Sequence, residues 1–421
     1  MKVVKALYLI PDPERCIENG AVAVKDAKIY RVGTFDEIRT LAEIDEVVDL
    51  GNAAILPGFI NIHTHLDLTG LHNRIKPTNN FTHWVFQLLG ARMRWKEAEY
   101  TASIEKGIRC CIESGTTTVA DIANTAYSFP ILKKSPLRKI VYKEVIDLDS
   151  GHAKDVVLNV QSELSAYESD DRFCTGLSPH APYSVSKELY REIAQIVCQK
   201  RLPLCTHVAE TRDEIEFLAS GSGNFSDFLR QLRALPDNWQ PPGLSPIHYL
   251  KETGILDARP VLIHCNYITD EEISLIRSSG ASVAFCPRSH RFFGHTTYPL
   301  QKLMDAGINV GLGTDSLASN DTLSILDEMK FLSLHYALSP KTLISLATVN
   351  GAKALGLASQ TGQIREGFEA DLCGIGLSKG SPKDLYGQIL DAGTENIFTM
   401  VSGVICYQAP SQEIFCTQRH S

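Results

Sequence analysis

The chain has 421 residues, 44% of them hydrophobic and 21% charged, with a formal net charge of −8. That length exceeds what a single ordinary core supports, so one large barrel with a smaller appended unit, or two units, is expected. The negative balance and the absence of any Lys/Arg run exclude a phosphate-tracking surface and thus a nucleic-acid partner.

Residues 1–54 read as short β segments with turns, as in AVAVKDAKIYRVG. The opening MKVVKALYLIPDPERC has the basic residue and apolar run of a leader, but Pro11 and Pro13 break it early and no small-residue cleavage site follows. No stretch approaches the ~18 apolar residues of a membrane span, so a cytoplasmic protein without a membrane partner is expected. From residue 55 to 316 eight β-like runs follow: 55–66, 116–122, 139–146, 173–180, 202–210, 259–268, 282–289 and 308–316. Helix-like segments lie between them, among them WKEAEYTASIEKGIRCCIESG, SKELYREIAQIVCQK and TDEEISLIRSSG, the last two opening on the capping residues Ser186 and Thr269. Eight strands alternating with helices imply an α/β fold with a closed (β/α)8 TIM barrel over 55–360. A long loop insertion is expected at 211–258, where RALPDNWQPPGLSP is too rich in proline for continuous helix. Residues 361–421 are β-rich again, and with 1–54 they are expected to pair into one small β-sandwich domain. Of the eleven cysteines, Cys110, Cys111, Cys205, Cys265 and Cys286 sit in apolar runs and read as small buried side chains of a reducing compartment.

Several runs end in polar groups. PGFINIHTHLDLTG finishes the first with His63 and His65, LPLCTHVAE the fifth with His207 and Glu210, PVLIHCNYI the sixth with His264, and NVGLGTDS the eighth with Asp315. Residues two apart in a strand share a face, and barrel active sites lie at the C-terminal strand ends. A lone histidine at a strand end is commonly a hydrogen-bonded structural residue. A His-X-His, two further histidines and an aspartate in one order at four strand ends are better explained by a divalent metal with an open position, either Zn²⁺ or Fe²⁺.

These motifs together resemble the amidohydrolase superfamily, in its branch of purine and pyrimidine deaminases, over nearly the whole chain. The resemblance implies that His63, His65, His207 and Asp315 ligate one metal, that Glu210 shuttles protons, that His264 orients the water, and that Asp315 also accepts a proton. Binuclear relatives carry a carboxylated lysine on strand four; FCTGLSPHAPYS has none, and Lys143 on strand three is the lone lysine nearby. The chemistry implied is removal of the 6-amino group of an adenine nucleoside, and a homodimer is common among such proteins.

SPHAPYSVS resembles an element of S-adenosylhomocysteine and methylthioadenosine deaminases and places His180 toward the substrate, although a strand-end histidine bonded to backbone is the plainer alternative. Those relatives carry a glutamate some nine residues beyond a tryptophan that grips the ribose hydroxyls. Here Trp84 is followed by VFQLLGARMRW, with Arg92 and Arg94 and no acid. Guanidinium groups bind carboxylates bidentately, so an anionic substrate tail is expected unless these arginines are solvated on a helix face. HTHLDLTGL, NNFTHWVFQLLGAR and CPRSHRFFGH resemble deaminases of 6-amino-6-deoxyfutalosine in the alternative menaquinone pathway. On that reading Arg288, Ser289 and His290 line the pocket from strand seven.

The rivals are S-adenosylhomocysteine/methylthioadenosine deamination, guanine or triazine aminohydrolysis, and a catalytically silent scaffold, which the retained ligand set disfavours. The other zinc deaminase signature, Pro-Cys-X-X-Cys, is absent. Gly376-Leu377-Ser378-Lys379-Gly380 matches a nucleophile elbow by letter, but another Gly and Pro382 lie nearby rather than a following helix.

Overall fold

A computed structural model describes residues 1–378 and 384–410 of the chain. Its larger part holds eight strands separated by helices: β1 (Phe59–Thr64), β2 (Thr116–Ala123), β3 (Arg138–Val145), β4 (Phe173–Pro179), β5 (Cys205–Val208), β6 (Val261–His264), β7 (Ser282–Phe285) and β8 (Val310–Leu312). β1 to β4 form one parallel sheet of four strands and β5 to β8 a second, each in chain order. Single parallel bridges, Leu177 to Leu204 and Thr64 to Asp315, connect the two sheets at their seams. This is a parallel α/β arrangement consistent with a (β/α)8 barrel.

Side-chain alternation sorts the strands into two faces. Ile60, Ile62, Ala120, Ile122, Ile140, Tyr142, Cys205, Val261, Ile263 and Ala284 pack together in one cluster. The alternate positions, such as Val119, Val141, Leu262 and Val283, pack against the surrounding helices. The helices form where caps and periodicity ask for them. Helix Lys187–Lys200 opens on Ser186, whose side chain accepts from the Leu189 amide, and helix Asp270–Ser279 opens on a Thr269–Glu272 capping box.

Three expectations need correction. The run at 55–66 is two strands: Ala53–Pro57 joins a different sheet, and only Phe59–Thr64 belongs to the parallel set. Gly58 makes the crossing possible, because a Cβ there would lie 2.2 Å from the Thr117 side chain. The connection at 211–258 is mostly helical, with Arg212–Ser220, Asn224–Gln231, Pro246–Glu252 and a 3-10 turn at Ile255–Ala258. Its prolines disrupt only 232–245, while Pro246 starts a helix at its first position, where a missing N–H costs nothing. The run at 282–289 stops at Phe285, and Pro287 then opens a short helix, Pro287–Phe292, that carries Arg288, Ser289 and His290.

Two further sheets lie beside the parallel strands. One orders Lys28–Thr34, Gly20–Lys25, Lys2–Lys5 and Glu46–Asp49; the other combines Tyr8–Asp12, Arg15–Glu18 and Ala53–Pro57 with Leu372–Gly376, Asn396–Val401 and Val404–Gln408. Val4, Leu9, Val22, Ile29, Val48, Leu372, Phe398 and Met400 are buried together between them. Strands from residues 8–57 and 372–408 therefore share one sheet. Lys379, Gly380 and Pro382 of the elbow-like segment, and the tail at 411–421, lie outside the described residues.

Candidate active site

His207 reaches the mouth by plain alternation, two residues after the interior Cys205 on β5. The other groups need the alternation broken. On β1 the pairing with β2 shifts register between Asn61 and Thr64, immediately before the histidines turn inward. His264, Cys265 and Asp315 adopt left-handed backbone, with φ of 73°, 54° and 56°. Non-glycine residues held there cost energy and cluster at functional sites. Cross-bonds hold the conformation: Asn61 Nδ2 donates to Thr314 Oγ1 (2.7 Å), and the Thr314 and Asp315 amides donate to the His63 carbonyl (3.0 and 3.1 Å).

The side chains converge. One ring nitrogen from each of His63, His65 and His207 lies within 4.8 Å of the others. Asp315 Oδ1 stands 3.5 Å from His63 Nε2 and 3.7 Å from His65 Nε2, while its Oδ2 accepts from Ser289 (2.6 Å) and Ser319 (2.7 Å). His207 Nδ1 is satisfied by the His180 carbonyl at 3.0 Å. Both ring nitrogens of His63 are buried and unpartnered, a costly state for polar atoms. A divalent cation would resolve it, and the donor set of three imidazoles and a carboxylate suits one. The cluster is capable of holding a metal.

Electrostatics agree with that reading. Burial pushes His65 and His207 well below the ordinary histidine range and His264 down to about 3, leaving their lone pairs free. Burial opposes ionisation of Asp315, but the imidazoles of His63, His65 and His264 around it hold its carboxyl well below the usual range. Glu210 moves the other way: burial, Asp315 and Glu214 push it well above the usual carboxylate range. It stands 3.4 Å from His264 Nε2, and its backbone is fixed from two directions. Glu214 accepts the Ala209 and Glu210 amides (3.0 and 2.9 Å), and Asn266 donates to the Glu210 carbonyl (2.9 Å).

The Amidohydrolase family model matches residues 54–405. The chain belongs to the amidohydrolase family. It is 29% identical over 398 residues to a 5-methylthioadenosine/S-adenosylhomocysteine deaminase of Halothermothrix orenii, covering 90% of this chain and 85% of that one. It is 29% identical over 347 residues to an aminodeoxyfutalosine deaminase of Deinococcus radiodurans, covering 80% and 81%. Its fold matches that of a zinc-bound adenosine deaminase from Xanthomonas campestris with a TM-score of 0.85 at 23% identity, over 98% of this chain and 94% of that one.

In this amidohydrolase the other expected residues scatter. His180 lies at the mouth, its Nδ1 2.6 Å from Ser184 Oγ and its ring 5.0 Å from that of His207. Arg92 points inward, with Nη2 3.0 Å from Asn124 Oδ1 and 3.6 Å from Asp67. Arg94 is exposed. Arg288 is engaged by Asp321 and Asn320, Ser289 serves Asp315, and His290 is buried against Phe285 and Tyr298. Lys143 faces outward to Glu163 at 2.7 Å. Sequence reasoning missed Glu144, Asp67 and Asn124. The signal for Glu144 was there: RKIVYKEV places it two residues beyond the interior Tyr142. It also missed an aromatic wall of Phe81, Trp84, Tyr183, Phe225 and Phe293, whose cluster includes Leu68 and Ala318 beside the metal-ligand candidates.

Proposed function

We propose that the chain is a metal-dependent aminohydrolase that replaces the 6-amino group of an adenine nucleoside by oxygen. The eight parallel strands are taken as one closed barrel, with the two outer sheets as a separate small unit. His63, His65, His207 and Asp315 would hold one Zn²⁺ or Fe²⁺. Such an ion supplies Lewis acidity that makes water ionisable near neutral pH. The carrying observation is geometric: Glu210, 3.4 Å from His264 Nε2, and Asp315, 3.5 and 3.7 Å from His63 and His65 Nε2, share one buried mouth with the imidazole cluster.

Each group has a defined task. Asp315 accepts a proton from the attacking water as oxygen bonds to C6, and Glu210 gives its proton to ring N1. In the collapse, the new C6 hydroxyl returns a proton to Glu210, Asp315 protonates the amine, and ammonia departs from a C6 carbonyl. His264, neutral and adjacent to Glu210, orients the water. The aromatic wall gives a flat apolar surface for the purine. Among nucleosides we favour 6-amino-6-deoxyfutalosine, converted to futalosine. The Deinococcus relative carries that activity in its name, and the segment after Trp84 offers Arg92 in place of an acid. S-adenosylhomocysteine or methylthioadenosine is the second reading, because the relative named for them aligns over more of the chain.

Ammonia release from aminodeoxyfutalosine, S-adenosylhomocysteine, adenosine and guanine, side by side on metal-loaded protein, separates these. The highest kcat/KM is expected with aminodeoxyfutalosine. Preference for S-adenosylhomocysteine would overturn the substrate, and silence with all adenine nucleosides would overturn the reaction.

A further inference from the structure

Strand β3 pairs without register shift against both β2 and β4, so Ile140, Tyr142 and Glu144 share its inner face. The Glu144 side chain is 6% exposed and sits at the mouth, one strand from His180. A relay of bonds sets its orientation. Arg92, drawn toward Asp67, donates to Asn124 Oδ1 at 3.0 Å, which turns the Asn124 amide so that its NH₂ donates to Glu144 Oε2. The other oxygen, Oε1, lies 4.0 Å from His180 Nε2, too far for a hydrogen bond. A carboxylate oxygen and an imidazole nitrogen thus face each other across a gap.

Two kinds of guest fit such a gap: a cation or a hydroxylated group. Glu144, His180 and His207 together have the spacing of a metal site. Yet His207 Nδ1 is taken by the His180 carbonyl, and an imidazole nitrogen has one lone pair. If Nε2 serves the cluster with His63 and His65, only two ligands remain here, too few for a metal. A hydroxyl both donates and accepts, so it can bridge Glu144 and His180 whichever His180 nitrogen carries the proton.

We propose that Glu144, held by Asn124 and Arg92 and paired with His180, is the acceptor for the vicinal ribose hydroxyls of the nucleoside. The assignment rests on the nucleoside reading above, and it supplies a ribose-gripping carboxylate where the segment after Trp84 has none. Arg92 and Asn124 are then positioning residues.

The test measures binding, so that it stands apart from turnover. Metal-loaded protein carrying Glu210→Gln is titrated calorimetrically with adenosine and with 2′,3′-dideoxyadenosine, with and without Glu144→Ala or Glu144→Gln. Adenosine should bind about 10- to 100-fold more tightly than the dideoxy compound, the range for hydrogen bonds to a charged group. Glu144→Ala should erase that preference while leaving dideoxyadenosine affinity unchanged, and Glu144→Gln should restore part of it. Equal affinity for both nucleosides, or no binding of either, overturns the proposal. So does a metal content that falls from two ions per chain to one in Glu144→Ala, which would make this a second metal site. Diol-dependent binding without ammonia release from active protein would instead remove the proposed reaction and leave the diol site standing.

Discussion

Burial acts on Glu210 and on the neighbouring imidazoles in opposite chemical senses, since it disfavours whichever form is charged. Burial therefore favours the neutral acid and the neutral imidazoles alike. Glu210→Gln removes the transferable proton without altering size, so it should retain metal and lose ~10²–10⁴-fold in turnover. Turnover close to wild type, with metal content checked by atomic spectroscopy, would remove Glu210 from the reaction. At this scale the sequence was most readable where an apolar run stopped at a histidine. It was least readable where a partner is remote. Asp321, which occupies Arg288, is 33 residues away, and the bonds from Ser289 and Ser319 to Asp315 exist only in the folded loops.

Elements hold these residues through a few buried acids. Glu328, on helix Ile325–His335, accepts from Asn320 Nδ2 (2.7 Å) and from the Arg288 amide (3.1 Å), tying the turn after β7 to the loop after β8. Burial pushes its carboxyl up to about 8, the two hydrogen bonds only partly offsetting it. An unfolded glutamate titrates near ~4.3. Between those values the folded chain binds the extra proton, so this contribution is complete at low pH and is lost as pH rises toward 8. Glu328→Gln, neutral throughout and similar in shape, should show a flatter decline in urea midpoint from pH 5.5 to 8 than the parent. Parallel slopes in the two proteins would contradict this. Capping residues predicted two helix starts, and alternation accounts for His207. Neither foresees a register shift or a left-handed φ, because both are imposed by neighbouring strands that the linear pattern does not contain.

Across the whole molecule, the end of the parallel strands opposite the mouth is bolted to the outer sheets. Arg138, the first residue of β3 and 2% exposed, donates to Asp371 (2.9 Å) and pairs with Glu369 (2.9 Å), both just ahead of strand Leu372–Gly376. Removing one member of a buried ionic group leaves the others uncompensated, at a cost of about 3–5 kcal/mol. Arg138→Ala should therefore lower the denaturation midpoint sharply while kcat of the folded, metal-loaded fraction stays at its parent value. An unchanged midpoint would show that Lys28 and Ser402, which also contact these acids, suffice. The β-rich letters on either side of an alternating centre were legible in the sequence. The Gly58 crossing between sheets was hidden, because a strand that changes sheets keeps its apolar letters.

The contact between Thr64 and Asp315 spans 251 residues and closes one of the two seams between the four-stranded sheets, beside the imidazole cluster. On the ribosome, His63 and His65 emerge long before Asp315. On the proposed function, therefore, the site is completed only late in biogenesis, once residues 314 and 315 have come back against Asn61 and Thr64.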